Sequence, residues 1–306
     1  MSAPHRALIV SAAIAALSLP AGAGPQAPPR PVFRADTVGI AVDVTVFDGS
    51  RTVPGLTAAD FELHDNGVRQ AISAVSLEQI PFDLSLVVDT SGSLVGAPLE
   101  QFKADVRAIG RMLRPEDRLR LVTFATRGAD AFGWRPGGAD LPLDRIAAGG
   151  ATAFYQTVAA VLLRETEPGR RHLIVAMSDG YDTVSLLDAP DVASLARLAS
   201  GVMHVILRRP VSTPRQSWGW VPYAGAGNHD ALRQAAEATG GRFRQVGVNV
   251  SLTDAFETAL DEFRTGYLLW YTPAHVVPSG WHEIAVRAGR DTVRARKGYD
   301  AGLPKR

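Results

Sequence analysis

Ile40, Val42, Val44 and Val46 are apolar, while Asp43 and Thr45 between them are polar. This period of two predicts a half-buried strand. Phe61-Glu62-Leu63-His64 leads into Asp65-Asn66-Gly67, after which the alternation resumes. Asn-Gly between strand-like runs predicts a tight hairpin. Residues 32–81 therefore read as a small all-β segment. The rhythm changes at Phe82. Phe82 to Val88 is nearly all apolar, as a strand covered on both faces must be. Leu99, Phe102, Val106, Ile109 and Leu113 then step by three and four, the stripe of an amphipathic helix that Pro115 ends. Two more strand–helix alternations follow: Leu119 to Phe124 with a helix carrying Phe154, Val158, Val161 and Leu162, then His172 to Met177 with a helix over 190–200. Val202 to Leu207 is a fourth strand, residues 229–239 form a helix closed by Gly240-Gly241, and Leu252, Phe256, Leu260 and Phe263 mark a last helix capped by Ser251 or Thr253. The expectation for residues 82–265 is an α/β domain: a doubly wound, mostly parallel sheet with helices on both faces. In residues 266–306, Tyr267 to Tyr271 and Glu283 to Arg287 read as strands separated by Pro278-Ser279-Gly280. Neither β segment has strands enough for its own core. The two are expected to pack together beside the α/β domain.

The amino terminus follows another pattern. His5 and Arg6 precede the apolar run Ala7 to Leu19; Pro20 breaks it, and Ala21-Gly22-Ala23 fits a small-x-small cleavage site. The run is shorter than the roughly 20 apolar residues of a spanning helix. Residues 1–23 are expected to be a cleaved signal peptide, and residues 24–31 an extended Pro-rich leader. That places the mature chain, with no membrane span, in the periplasm or outside the cell.

Of 306 residues, 32 are Lys or Arg and 31 are Asp or Glu. This balance offers no basic excess for nucleic acid. The absence of cysteine excludes disulfides, thiolate metal sites and thiol nucleophiles. The seven histidines are scattered and form no paired ligand spacing.

In an open α/β sheet, ligands bind at the carboxyl ends of the strands. The first α/β strand runs into Asp89-Thr90-Ser91-Gly92-Ser93, the third into Ser178-Asp179-Gly180-Tyr181-Asp182, and Gly149-Gly150-Ala151-Thr152 precedes the Phe154 helix. Asp89, Ser91, Ser93, Thr152 and Asp179 thus offer carboxylate and hydroxyl oxygens from three loops on one sheet edge. Hard oxygen donors suit one divalent cation, Mg²⁺ first, with Mn²⁺ or Ca²⁺ as alternatives, and not zinc. Taken singly, Asp89 and Ser91 also suit a helix cap, Asp179-Gly180 an ordinary turn and Thr152 an N-cap. Their conjunction on one edge favours the metal site. Asp182 fits equally a role in supporting the ligands and a turn. The stretch 208–228 after the fourth strand carries Trp218, Trp220 and Tyr223, which suit either a partner-binding loop or packing against the body of the protein.

Asp-x-Ser-x-Ser after a buried strand, a Thr after a Gly-rich loop and Ser-Asp-Gly after a later strand resemble a von Willebrand factor A domain. The stretches at 117–124, 149–158 and 177–182, and the flanks at 44–48, 55–70, 267–273, 280–286 and 293–299, are similar to bacterial secreted proteins related to that family. The resemblance spans roughly residues 33–300. It implies a metal-ion-dependent adhesion site in which Ser91 and Ser93 coordinate the ion directly, Thr152 does so directly or through water, and Asp89 and Asp179 act mostly through water and hydrogen bonds. Gln156 departs from the Asp that relatives often carry. The implied function is an adhesion-type binding module, not an enzyme. It would dock an Asp or Glu of a protein partner, or another copy of the chain, on the ion. Two alternatives remain at this point: a Mg²⁺-dependent, phosphatase-like hydrolase with Asp89 as nucleophile, and a structural envelope subunit with a vestigial site. The first lacks an acid two residues after Asp89, where Ser91 stands, and no Gly-x-Ser-x-Gly, Gly-x-Gly-x-x-Gly or Gly-Lys-Ser/Thr signature is present.

Overall fold

The computed structural model describes residues 39–77, 80–178, 181–208, 229–247 and 250–302. The expected signal peptide and Pro-rich leader lie outside them. The chain enters through five strands: β1 (Ile40–Asp48), β2 (Arg51–Thr52), β3 (Phe61–Asp65), β4 (Val68–Gln70) and β5 (Ile72–Leu77). β3 and β4 form the hairpin expected at Asn66-Gly67. Both turn residues have positive φ, 48° and 79°, the left-handed region that Asn and Gly reach most easily.

The α/β region follows as β6 (Phe82–Asp89), α1 (Ala97–Met112), β7 (Arg118–Phe124), β8 (Gly128–Pro136), α2 (Phe154–Leu162), β9 (Arg171–Ser178), α3 (Ala189–Ala196), β10 (Val202–Arg208), α4 (His229–Ala238), β11 (Phe243–Val246) and α5 (Leu252–Arg264). Its six strands lie in the order β11-β10-β9-β6-β7-β8. Five are parallel; β8 is antiparallel to β7. The sheet is therefore mixed, five parallel strands with one antiparallel edge strand. β8 (GADAFGWRP) was not foreseen because an edge strand needs few apolar residues, and only Phe132 of β8 is buried. Its glycines and register irregularities also blunt the open edge.

One face of this sheet packs Leu84, Leu86 and Val88 against Phe102, Val106 and Ile109 of α1 and Phe256, Leu260 and Phe263 of α5. The other packs Val87, Ile174 and Val205 against α2, α3 and α4. The alternation is that of strands covered on both faces. Ser251 caps α5, its side chain accepting from the Asp254 N–H at 2.9 Å.

The chain then returns through β12 (Tyr267–Tyr271), β13 (Trp281–Ala288), β14 (Thr292–Ala295) and β15 (Gly298–Asp300). These interleave with the first five strands in two antiparallel sheets, β14-β1-β12-β5 and β15-β13-β3-β4, with β2 paired to β1. Val42, Val44, Phe61, Leu63, Tyr267, Leu269 and Ile284 fill the space between them. Polar ties join these sheets to the α/β region. Arg171 Nε donates to Asp43 at 2.7 Å and Arg294 Nη2 to Glu262 at 2.6 Å, and the Lys297 N–H donates to the Ala238 carbonyl.

A polar chain, partly buried, runs across β7, β6 and β9 of the mixed sheet. Arg120 Nη2 donates to Ser85 Oγ at 2.8 Å, and Ser85 Oγ lies 2.9 Å from His172 Nε2. Burial first, and the Arg120 charge second, push the His172 imidazole down to about 4 from its ordinary 6.5. It is thus neutral and accepts the Ser85 hydroxyl. The unfolded chain takes up this proton at a higher pH than the native state does. Stability is therefore full above about pH 6.5 and falls by about 1.4 kcal/mol per unit as the pH drops towards 4, roughly 3 kcal/mol in all. Urea midpoints measured between pH 7 and pH 4.5 are expected to show at least this fall, and His172→Gln is expected to reduce the slope by about 1.4 kcal/mol per unit, leaving the part due to His204, which burial pushes down to about 3. An equal slope in the variant counts against this origin.

Candidate metal centre

The six α/β strands, counted in chain order, lie 6-5-4-1-2-3 across the sheet, so β6 and β9, the first and fourth, are neighbours. From the carboxyl end of β6 the chain leaves to α1 on one face; beyond β9 it passes to α3 on the other. The crevice opened where successive connections part is where such sheets take ligands. Asp89 ends β6 and Ser178 ends β9, so both border this crevice.

Asp89, Ser91 and Thr152 are all buried. Asp89 Oδ1 accepts the Ser91 N–H at 2.7 Å, which curls the loop back over the strand end. The Ser178 hydroxyl lies 3.5 Å from Asp89 Oδ2. Ser91 opens a 3₁₀ turn, Gly92–Leu94, that includes Ser93. Backbone hydrogen bonds lace this loop to the one bearing Thr152: Gly92 N–H donates to Gly150 O at 3.2 Å, and Gly149 N–H to Thr90 O at 2.9 Å. The Thr90 N–H and hydroxyl both donate to Phe124 O at the end of β7. Gly150 has φ of +87°, and a Cβ there would meet Thr126 Oγ1 at 2.5 Å. Only glycine allows that close passage without strain.

The loop after β9 completes the frame. Thr183 Oγ1 accepts the Thr152 N–H at 2.9 Å, and the Thr183 N–H donates to Thr152 O at 2.8 Å. Asp182 Oδ2 accepts the Tyr155 N–H at 2.8 Å, and its Oδ1 accepts those of Val184 and Ser185. Ser185 Oγ accepts the Gln156 N–H at 3.2 Å. Because Ala153 gives α2 no side-chain cap, Asp182 and Ser185 satisfy its first amides from a distance. Asp182 thus both shapes its own loop and seats the helix that follows Thr152.

The structure brings Asp89, Ser91 and Thr152 to one loop cluster and places the backbone of Ser93 beside them. Asp179, Trp218, Trp220 and Tyr223 lie outside the described residues. Sequence reading missed Thr90, Thr126, Thr183 and Ser185. Their only signal was a run of hydroxyl residues next to motif positions, which many loops share. Among the described residues, no three His, Cys, Asp or Glu side chains form a metal-binding group. The donors here are instead one carboxylate with hydroxyls, a set that fits a hard divalent cation.

The architecture is α/β, with an oxygen-lined crevice at the carboxyl ends of β6 and β9. A scan against family models finds no match, and neither does a search of curated proteins. Among solved structures, the chain is similar to a von Willebrand factor type A protein from Catenulispora acidiphila, at 11% identity and a TM-score of 0.46 over 84% of this chain and 75% of that one. It is also similar to the conserved hypothetical protein BatB from Bacteroides thetaiotaomicron, at 15% identity and 0.44 over 60% of this chain and 98% of that one. A third likeness is proximal thread matrix protein 1 from the mussel byssus, described with a zinc-occupied MIDAS motif, at 16% identity and 0.44 over 67% of this chain and 50% of that one. At these identities the likeness concerns the fold alone, and the fold stands on the strand order and register given above.

Proposed function

We propose that this chain is an exported protein-binding module on a doubly wound, von Willebrand factor A-type sheet. It holds one divalent cation, Mg²⁺ foremost, and docks a carboxylate of a partner protein on it. The observation that carries this reading is the lacing of the Asp89–Ser91 loop to the Gly149–Thr152 loop at the switch between β6 and β9. Ser91 and Thr152 hold the ion by their hydroxyls, joined by Ser93 and Asp179 on the sequence motif, while Asp89 offsets its charge. Neutral hydroxyl donors leave a bound Mg²⁺ electron-poor, which supplies an attachment point for an incoming carboxylate. The proposed role is binding and not turnover, because Ser91 occupies the place where a phosphatase of this kind needs a general acid.

The test is capture of partners from envelope extract by the tagged mature chain, with and without EDTA, and with Ser91→Ala. Carboxylate docking predicts partners that are lost in EDTA and lost with Ser91→Ala. Equal recovery in all three conditions overturns the reading.

A further inference from the structure

We propose a second, anionic ligand site, for a tetrahedral oxyanion such as phosphate or sulfate, where β10 and β11 meet α5 and β14. In the parallel register Arg244 lies beside Ile206, so on that face its neighbours along β10 are His204 and Arg208. Ile206 packs into the same core as Phe256 and Leu260 of α5, which places this row beneath that helix. Arg294 reaches in from β14 and Arg242 from the start of β11, and both grip Glu262 of α5, at 2.6 and 2.8 Å. Both Glu262 oxygens are thereby used. Arg244 is left without a carboxylate among the described residues, and Arg208 bonds the Val250 carbonyl at 3.1 Å.

Buried nitrogens without partners occur here. His204 Nδ1, Arg244 Nη1 and Arg294 Nε have none among the described residues, and His204 is 2% exposed. Buried polar nitrogens are normally satisfied. The charges of Arg294, Glu262, Arg242 and Arg244 all act on His204, so the cluster is close-knit and carries more cations than Glu262 can neutralise. An oxyanion accepts several N–H groups at once and offsets that excess, which no single side-chain carboxylate here does. His204 and Arg244 stand on β10 and β11 on the face that α5 covers, so a ligand there joins the α/β region to β14.

Calorimetric titration of inorganic phosphate into the full chain tests this, in chloride buffer of fixed ionic strength with EDTA present. The expected result is one site, competed by sulfate and not by added chloride, with affinity weakened about tenfold or more by Arg244→Met. Arg244→Lys, which keeps the charge but loses the fork, is expected to fall between the two and serves if the Met variant does not fold. Water serving these nitrogens predicts no phosphate site tighter than about 10 mM, and that result overturns the proposal. Binding unchanged in both Arg244 variants overturns it equally.

Discussion

Asp65→Ala is expected to destabilise the protein by about 3–5 kcal/mol, the cost of leaving several buried polar groups without their shared partner. Asp65 is fully buried between the two antiparallel sheets. Its Oδ2 accepts the Tyr271 hydroxyl at 2.8 Å and the Tyr299 hydroxyl at 3.0 Å, and its Oδ1 lies 2.7 Å from His282 Nδ1. Four strands, β3, β12, β13 and β15, thus meet on one carboxylate. Burial pushes the Tyr299 hydroxyl up to about 12 and the Tyr271 hydroxyl up as well, so both stay neutral donors. Removing Asp65 strands these donors in the core. Tyr299→Phe, which removes one donor and leaves the carboxylate otherwise served, is expected to cost about 1 kcal/mol. Urea denaturation of the three proteins measures the difference. Similar losses in Asp65→Ala and Tyr299→Phe would mean the network is not centred on the carboxylate.

Asp89→Ala is expected to abolish stabilisation by divalent cations. A ligand at a hundred times its dissociation constant stabilises the native state by about 2.7 kcal/mol, so the wild-type melting temperature should climb through a Mn²⁺ or Mg²⁺ titration. The variant should melt at one temperature throughout. Comparing each protein with itself, with and without cation, separates this effect from the loss of the Asp89–Ser91 turn, which lowers both curves. A variant that gains as much from the cation as the wild type would remove Asp89 from the site. A wild type that gains nothing would remove the site.

Much of this architecture was legible in the residues. The apolar runs of β6, β7, β9 and β10 declare themselves because a strand covered on both faces has no polar positions to blur it. The stripes of α1 and α5 follow from the helical period, and the β3–β4 hairpin from Asn66-Gly67. The edge strands β8, β11, β14 and β15 were not legible. Each is short or half exposed, and pairing with a neighbour, not its own pattern, makes it a strand. The site divides in the same way. Asp89, Ser91 and Thr152 stand out as oxygen donors after strands, while Thr183, Asp182 and Ser185 gain their role only by lying against the start of α2.

Local periodicity and turn chemistry, properties of neighbouring residues, determined by themselves where the buried strands and amphipathic helices fall and which oxygens end on one sheet edge. The tertiary structure alone decided the partners. Strands from both ends of the chain close over Asp65, β14 brings Arg294 to Glu262, and the loop after β9 clamps Thr152. Pairings across up to 234 residues, as between Tyr299 and Asp65, leave no mark in a local pattern, because the energy that selects them arises only when the surfaces meet and water leaves.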